Sequence, residues 1–352
     1  MAKGFLRSRW LYWLLGGIVA VLYARFFFSG LPLKYLTRTE EAVEQPAPAP
    51  APSAEVELTM PRLHEAMKRD PGGVLLLGVW MLLAMGFGVT GIGLSLRAVW
   101  TRRLQRVFRY RSKLPQVWSL GEFGRLMALL LLLASLFPFV NVGLVAWGAL
   151  GLSDEHLWSL IAMFLLHGFL VLFVWGFASM KHLSLAAAFG LSRGKGMRVV
   201  RQGLLGYAVI FPWVFGLLWG LAQLCHQLGI KPPIEPIHEL LLLEDHRLVV
   251  VLTIVLACVV GPVAEEILFR GILFPSVRRH TSRLVAMLVS GAVFAAAHTT
   301  LIGFLPILIL GCFLADLYER TGSLVSSITV HILHNTLLVG LSLTVKTLFW
   351  NA

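Results

Sequence analysis

The sequence is short of charge and short of cysteine, and each shortage narrows what the chain can be. Asp, Glu, Lys and Arg together make up 14% of the 352 residues, against 57% hydrophobic. The resulting mean hydropathy of +0.79 lies beyond the range of a soluble globular domain. Cys225, Cys258 and Cys312 are odd in number and scattered in or at the ends of apolar runs. Such a set offers neither a disulfide framework nor a thiolate metal site. No serine or cysteine stands in a recognisable nucleophile setting, so water is the natural attacking group in any hydrolysis.

What the sequence has in quantity is long apolar runs. A helix crosses a bilayer with about 20 residues, and nine runs qualify: Trp10–Phe28, Val74–Leu96, Leu126–Gly148, Leu157–Met180, Leu204–Leu224, Leu248–Phe274, Leu284–Ala297, Leu301–Leu317 and Leu324–Val345. The seventh and eighth are the shortest. The expected fold is all-α, a polytopic transmembrane helix bundle of about nine spans.

A formal net charge of +12 suggests nucleic acid in a soluble protein, but here the basic residues fall in alternate loops. Lys3, Arg7 and Arg9 precede the first span; Arg97, Arg102, Arg103, Arg106, Arg109, Arg111 and Lys113 follow the second. Lys181, Arg193, Lys195, Arg198 and Arg201 follow the fourth, Arg278, Arg279 and Arg283 the sixth, and Arg320 the eighth. Nine crossings from a cytoplasmic N-terminus put all of these on the cytoplasmic side, as the positive-inside bias requires. The expected partner is the lipid bilayer of a plasma membrane, and nucleic acid is excluded.

Residues 1–30 are expected to be an uncleaved membrane anchor, since no small-residue cleavage pattern follows "ARFFFSG". Residues 31–71, with "TEEAVEQPAPAPAPSAEVE", read as an extended Pro/Ala-rich tether outside the cytoplasm. Residues 72–202 hold accessory transmembrane helices and basic cytoplasmic loops, with small residues such as those of "MGFGVTGIG" allowing close packing in lipid. His167, alone in the fourth span, reads as a hydrogen bond to a neighbouring helix. "HELLL" is not a zinc-protease HExxH, because Leu242 takes the second histidine position.

Ionised side chains at the bilayer centre cost about 2.5–3.5 kcal/mol each on insertion scales, yet "GPVAEEILFRG" places Glu265, Glu266 and Arg270 inside the sixth run. Glu266 and Arg270 are four apart and share a helix face, which makes an ion pair; Glu265 points about 100° away. It is left without a local cation, the setting of a general base. In "FAAAH", Phe294 lies one turn before His298 and walls the site; in "HILHN", His331 and Asn335 share a face with His334 beside them. A carboxylate and a histidine can hold and deprotonate a water, and a second histidine with an amide can stabilise an oxyanion. Amide hydrolysis is the chemistry these groups suit. The plain alternative is structural: an ion pair and interhelical hydrogen bonds that hold the bundle.

In order along the chain, "EEILFR", "FAAAH" and "HILHN" resemble EExxxR, FxxxH and HxxxN of the CAAX protease and bacteriocin-processing (CPBP) intramembrane proteases, which include the CAAX prenyl endopeptidases. "FRGILF" and "ERTGSL" look like the same family's surroundings. The resemblance covers roughly residues 203–345 and implies a core of the family's eight-helix type there. It implies that Glu265 activates water with help from His298, that His331 and Asn335 form the oxyanion site, and that Glu266 and Arg270 hold the architecture. It also implies a bacterial membrane endopeptidase acting on a protein or peptide, prenylated CAAX substrates among the candidates. No cofactor is expected to be required. If zinc is bound, Glu265, His298 and His331 are its expected ligands, but no HExxH pairing presents them on one face. The rival classes are a non-catalytic scaffold or immunity protein, and a transporter built on the Gly-Pro break of the sixth run. On straight helices Glu265 and His298 stand about 10 Å apart in depth, so tilt or a break near Gly261 and Pro262 is expected to bring them together.

Overall fold

The computed structural model describes residues 60–100, 114–115, 117–146, 155–191, 196–230, 236–298 and 301–350. The expected anchor, residues 1–30, and most of the expected tether lie outside them. The tether's last part, Met60–Arg69, is a helix (α1), with Ala66 buried and the Arg69 guanidinium donating to the Leu348 carbonyl.

The described chain is all-α. After α1 come α2 (Pro71–Trp100), α3 (Leu120–Ala146), α4 (Glu155–Met180), the short α5 (Leu185–Phe189), α6 (Gly196–Gln227) and α7 (Pro236–Leu243). A 32-residue helix, α8 (Arg247–Arg278), is followed by α9 (Arg283–Ala296), α10 (Leu301–Thr321) and α11 (Leu324–Val345). Among the described residues, six helices are long and apolar enough to cross a membrane: α2, α3, α4, α6, α8 and α11. The seventh expected span is the 14-residue α9. The eighth, α10, has 21 residues and ends on Asp316, Glu319 and Arg320. The first lies outside the described residues. The protein is thus a multi-pass membrane protein.

Lipid offers no hydrophobic drive for helices to associate, so close approach has to do the work. Gly91, within the small-residue run of α2, sits so close to α6 that an added Cβ would strike the Ala208 carbonyl. Gly291 of α9 and Gly311 of α10 meet the same way: a Cβ on Gly311 would lie 2.9 Å from the Gly291 Cα. The outer face of α2, with Leu75, Met81, Leu82, Met85 and Val89, stays exposed, as a lipid-facing surface does. The core is aromatic and aliphatic: Trp118 stacks on Phe189 at 5.9 Å, and Phe274, Phe294 and Tyr318 are buried among the residues around them.

The basic loops converge at one end of the bundle. Lys181 pairs with Glu122 at 2.6 Å and lies over the Trp118 ring, while Arg279 donates to the Trp118 carbonyl. There Arg278 and Arg283 meet Glu319, and Arg283 and Arg320 meet Asp316. Residues following the fourth, sixth and eighth runs therefore share one side, as alternate-loop charge requires. At the far end of α4, His156 meets Glu244, whose carboxyl is held below its ordinary range by the His246 backbone N–H and the His156 imidazole.

Candidate functional site

The site is built on α8, which does not break at Gly261-Pro262 but widens. Two π turns interrupt it, Leu256–Val260 and Glu266–Leu273, and a proline follows each, Pro262 and Pro275. A widened turn accommodates a residue that cannot donate a backbone hydrogen bond. It also strands a carbonyl. The Gly261 N–H donates to the Leu256 carbonyl, and Pro262, next in the π register, has no N–H for Ala257. The Asn335 amide of α11 fills that vacancy, donating to the Ala257 carbonyl at 2.8 Å.

The second π turn carries the charges. Glu266 and Arg270 are fully buried and paired at 2.7 Å, one turn apart as the spacing predicts. Arg270 also donates to the Gly311 carbonyl at 3.3 Å and stacks on the Phe294 face, its Cζ 4.1 Å from the ring centre. That is a cation–π contact removed from water, the setting in which such contacts are strongest. Phe294 is the hub of the site: His298 and His331 both pack edge-on against its ring, at 4.9 and 5.6 Å.

His331 stands between the two acids. Its Nδ1 is 3.0 Å from Glu266 Oε1 and its Nε2 is 3.6 Å from Glu265 Oε2. A carboxylate only accepts, so Nδ1 carries a hydrogen toward Glu266. A neutral ring would then turn a lone pair on Glu265. At 3.6 Å, beyond hydrogen-bond length, Nε2 and Glu265 form an ion pair when the ring is protonated.

Glu265 differs from its neighbour in access. Its side chain is 31% exposed where that of Glu266 is not exposed at all. It opens on a cleft between α8, α3 and α4 lined by Leu130, Leu166, His167, Leu170, Ala264 and Leu268. The two acids of one dipeptide thus occupy opposite environments, as their 100° separation on a helix predicts.

The expected close approach of Glu265 and His298 takes another form. No hydrogen bond or ion pair joins them; they are linked through His331 and Phe294. His298 Nδ1 donates to the Phe294 carbonyl at 3.0 Å, which leaves Nε2 as the nitrogen available to a ligand. The expected zinc ligands Glu265, His298 and His331 do not converge: among the described residues no three His, Cys, Asp or Glu side chains form a metal-holding group. The donor set does not fit a zinc site, and no step below runs through a metal.

The hydrogen bond expected from His167 to a neighbouring helix goes instead to the Met163 carbonyl one turn back on α4, and three placements were not expected from the sequence. Tyr207 of α6 bonds His334 Nδ1 through its hydroxyl at 3.0 Å, Ser290 of α9 donates to the Phe269 carbonyl inside the second π turn, and His167 shares the cleft of Glu265. The sequence signal for each is a polar residue inside an apolar run, which marks a partner without saying which helix supplies it.

The model of the type II CAAX prenyl endopeptidase Rce1-like family matches residues 247–337, which include all of these motif residues. A Bacillus subtilis protein named "Putative membrane peptidase YdiL" is 35% identical over 88 residues, 25% of this chain and 36% of that protein. The "UPF0177 protein YxdF" of Lactococcus lactis is 35% identical over 74 residues, 21% of this chain and 40% of that protein. The chain spans well under half the length of the curated relatives it matches. No solved structure matches it significantly. The match is narrower than the 203–345 expected, leaving α2 to α7 outside it. Within a longer multi-pass chain, residues 247–337 are similar to the Rce1-like family of type II CAAX prenyl endopeptidases.

Proposed function

We propose that the chain is an intramembrane endopeptidase in which Glu265 makes a water nucleophilic. The observation that carries this reading is the placement of His331 between a sealed acid and an accessible one. Glu266 fixes the ring through Nδ1 and is itself fixed by Arg270. Glu265, on the cleft, is the acid that water and substrate can reach.

The groups suggest the following sequence. Glu265 removes a proton from water as its oxygen bonds to the carbonyl carbon of the scissile peptide. Neutralised, Glu265 releases its hold on the His331 Nε2–H, which turns to the oxyanion just formed. Asn335 has two amide hydrogens; one is committed to Ala257, and the second serves the same oxyanion. The C–N bond then breaks as Glu265 returns its proton to the leaving nitrogen. His298 helps position the water through Nε2. Glu266 and Arg270 hold the architecture.

The substrate is a membrane-associated protein or peptide, and lipid-modified CAAX-type chains are the class that the family's name favours. The setting is a bacterial plasma membrane with the N-terminus and the basic loops cytoplasmic. One observation favours the scaffold reading: Asn335, Glu266 and Arg270 all have structural partners. Glu265 has the longer 3.6 Å contact with His331 and opens on the cleft, and Glu265→Gln separates the readings. Comparing membrane and secreted peptides of cells carrying wild type or Glu265→Gln, at equal protein level, should show cleavage products lost at least about a hundredfold, the scale of a removed general base. Identical peptide profiles would support the scaffold.

A further inference from the structure

The cleft at Glu265 contains one other polar side chain, and it comes from outside the family match. Leu130, Leu166, Leu170, Ala264 and Leu268 make an aliphatic wall; His167 of α4 and Glu265 of α8 are the polar groups on it. His167 Nδ1 lies 2.6 Å from the Met163 carbonyl one turn back. A carbonyl only accepts, so Nδ1 carries the hydrogen and Nε2 is left with a lone pair. His298 is held by the same device, Nδ1 to the carbonyl of Phe294. Two histidines near the site therefore have Nδ1 engaged by local bonds, which leaves Nε2 for another partner, and His167 is the one that shares the cleft of Glu265.

We propose that His167 is a substrate-positioning residue, whose Nε2 accepts a hydrogen bond from a backbone N–H of the peptide lying in the cleft. The inference rests on the peptidase reading above. A peptide segment leaving lipid or water for an apolar cleft carries N–H groups that must find acceptors, and each one left unpaired is costly. The leucines and alanine of the wall have no side-chain acceptor, and Glu265 is committed to water. His167 supplies the missing acceptor on the face opposite α8. It also gives α4 a function within a site otherwise made from α8, α9 and α11.

The test uses the full chain in vesicles of bacterial phospholipid, with total membrane protein from cells lacking the chain as the substrate mixture. New peptide N-termini are counted by mass spectrometry at dilute and at concentrated substrate. His167→Asn keeps a donor for Met163 and removes the acceptor at the Nε2 position; His167→Gln places an amide oxygen near that position. His167→Asn should lower the dilute-substrate rate about tenfold, the scale of one unpaired buried donor, with the concentrated rate within about twofold of wild type. His167→Gln should recover most of the dilute rate. Equal dilute rates for His167→Asn and wild type overturn the proposal. So does loss of both rates in both variants, since a positioning residue leaves the concentrated rate standing. If wild type and Glu265→Gln give the same N-termini, the peptidase reading itself fails, and the positioning role fails with it.

Discussion

Glu266 Oε1 receives two donors at once, Arg270 Nη1 at 2.7 Å and His331 Nδ1 at 3.0 Å. One carboxylate oxygen therefore ties the ion pair of α8 to the imidazole of α11. The neighbouring acid, Glu265, reaches the same imidazole from the other side at 3.6 Å. The two glutamates accordingly predict different consequences on mutation.

Removing the charge of Glu266 leaves Arg270 buried without its anion, a loss of about 3–5 kcal/mol when one partner of a buried pair is deleted. Glu266→Gln should lower the thermal midpoint of the purified protein sharply and reduce its level in the membrane. Glu265→Gln, at a part-exposed site, should leave the midpoint within the scatter of surface substitutions, about 0.5 kcal/mol. Thermal denaturation in detergent compares them directly, and equal destabilisation would contradict the division of roles.

Phe294 carries both histidines on its edge and Arg270 on its face. Phe294→Ala is expected to cost about 3–5 kcal/mol, the range for emptying a buried aromatic position. Phe294→Leu should cost less but still lose the cation–π contact. If activity follows the positions of His298 and His331, it should fall in Phe294→Leu by more than the midpoint does.

The bond from Asn335 to Ala257 exists because Pro262 has no N–H to give. Asn335→Ala strands a carbonyl, at about 1–3 kcal/mol. Pro262→Ala restores a backbone donor, so the stability cost of Asn335→Ala should shrink in the double variant. A double-mutant cycle on thermal stability measures that coupling. Peptidase activity should stay low in the double variant, because the oxyanion donor is still missing.

Gly311 gives α9 room to approach α10 and offers its carbonyl to Arg270. Gly311→Ala places a methyl 2.9 Å from the Gly291 Cα and 3.4 Å from Arg270 Nη2. Overpacking of this kind costs about 1–3 kcal/mol. The Gly291 contact is with backbone, so rotamer change cannot relieve it; a lowered thermal midpoint is the expected readout.

Much of this was legible along the chain because the relevant signals are local. Apolar runs mark the six long helices, alternate-loop basic residues predict a shared end, and the four-residue spacing of Glu266 and Arg270 predicts their pair. What crosses between helices was less legible. The spacing of "HILHN" suggested an oxyanion pair, yet it does not show that His331 faces both acids or that Asn335 serves a carbonyl beside Pro262. The π turns of α8 shift the helical register and so undo depth estimates made on straight helices. His167 illustrates the same limit: its tautomer follows from one turn of α4, but its place beside Glu265 depends on how α4 packs on α8.

The most direct measurement is hydrolysis by the full chain in bacterial phospholipid vesicles, in water enriched in oxygen-18, with membrane protein from cells lacking the chain as substrate. If Glu265 activates water, the new peptide C-termini made by wild type carry one heavy oxygen, and Glu265→Gln makes none of them. Labelled C-termini appearing equally with Glu265→Gln would contradict the account.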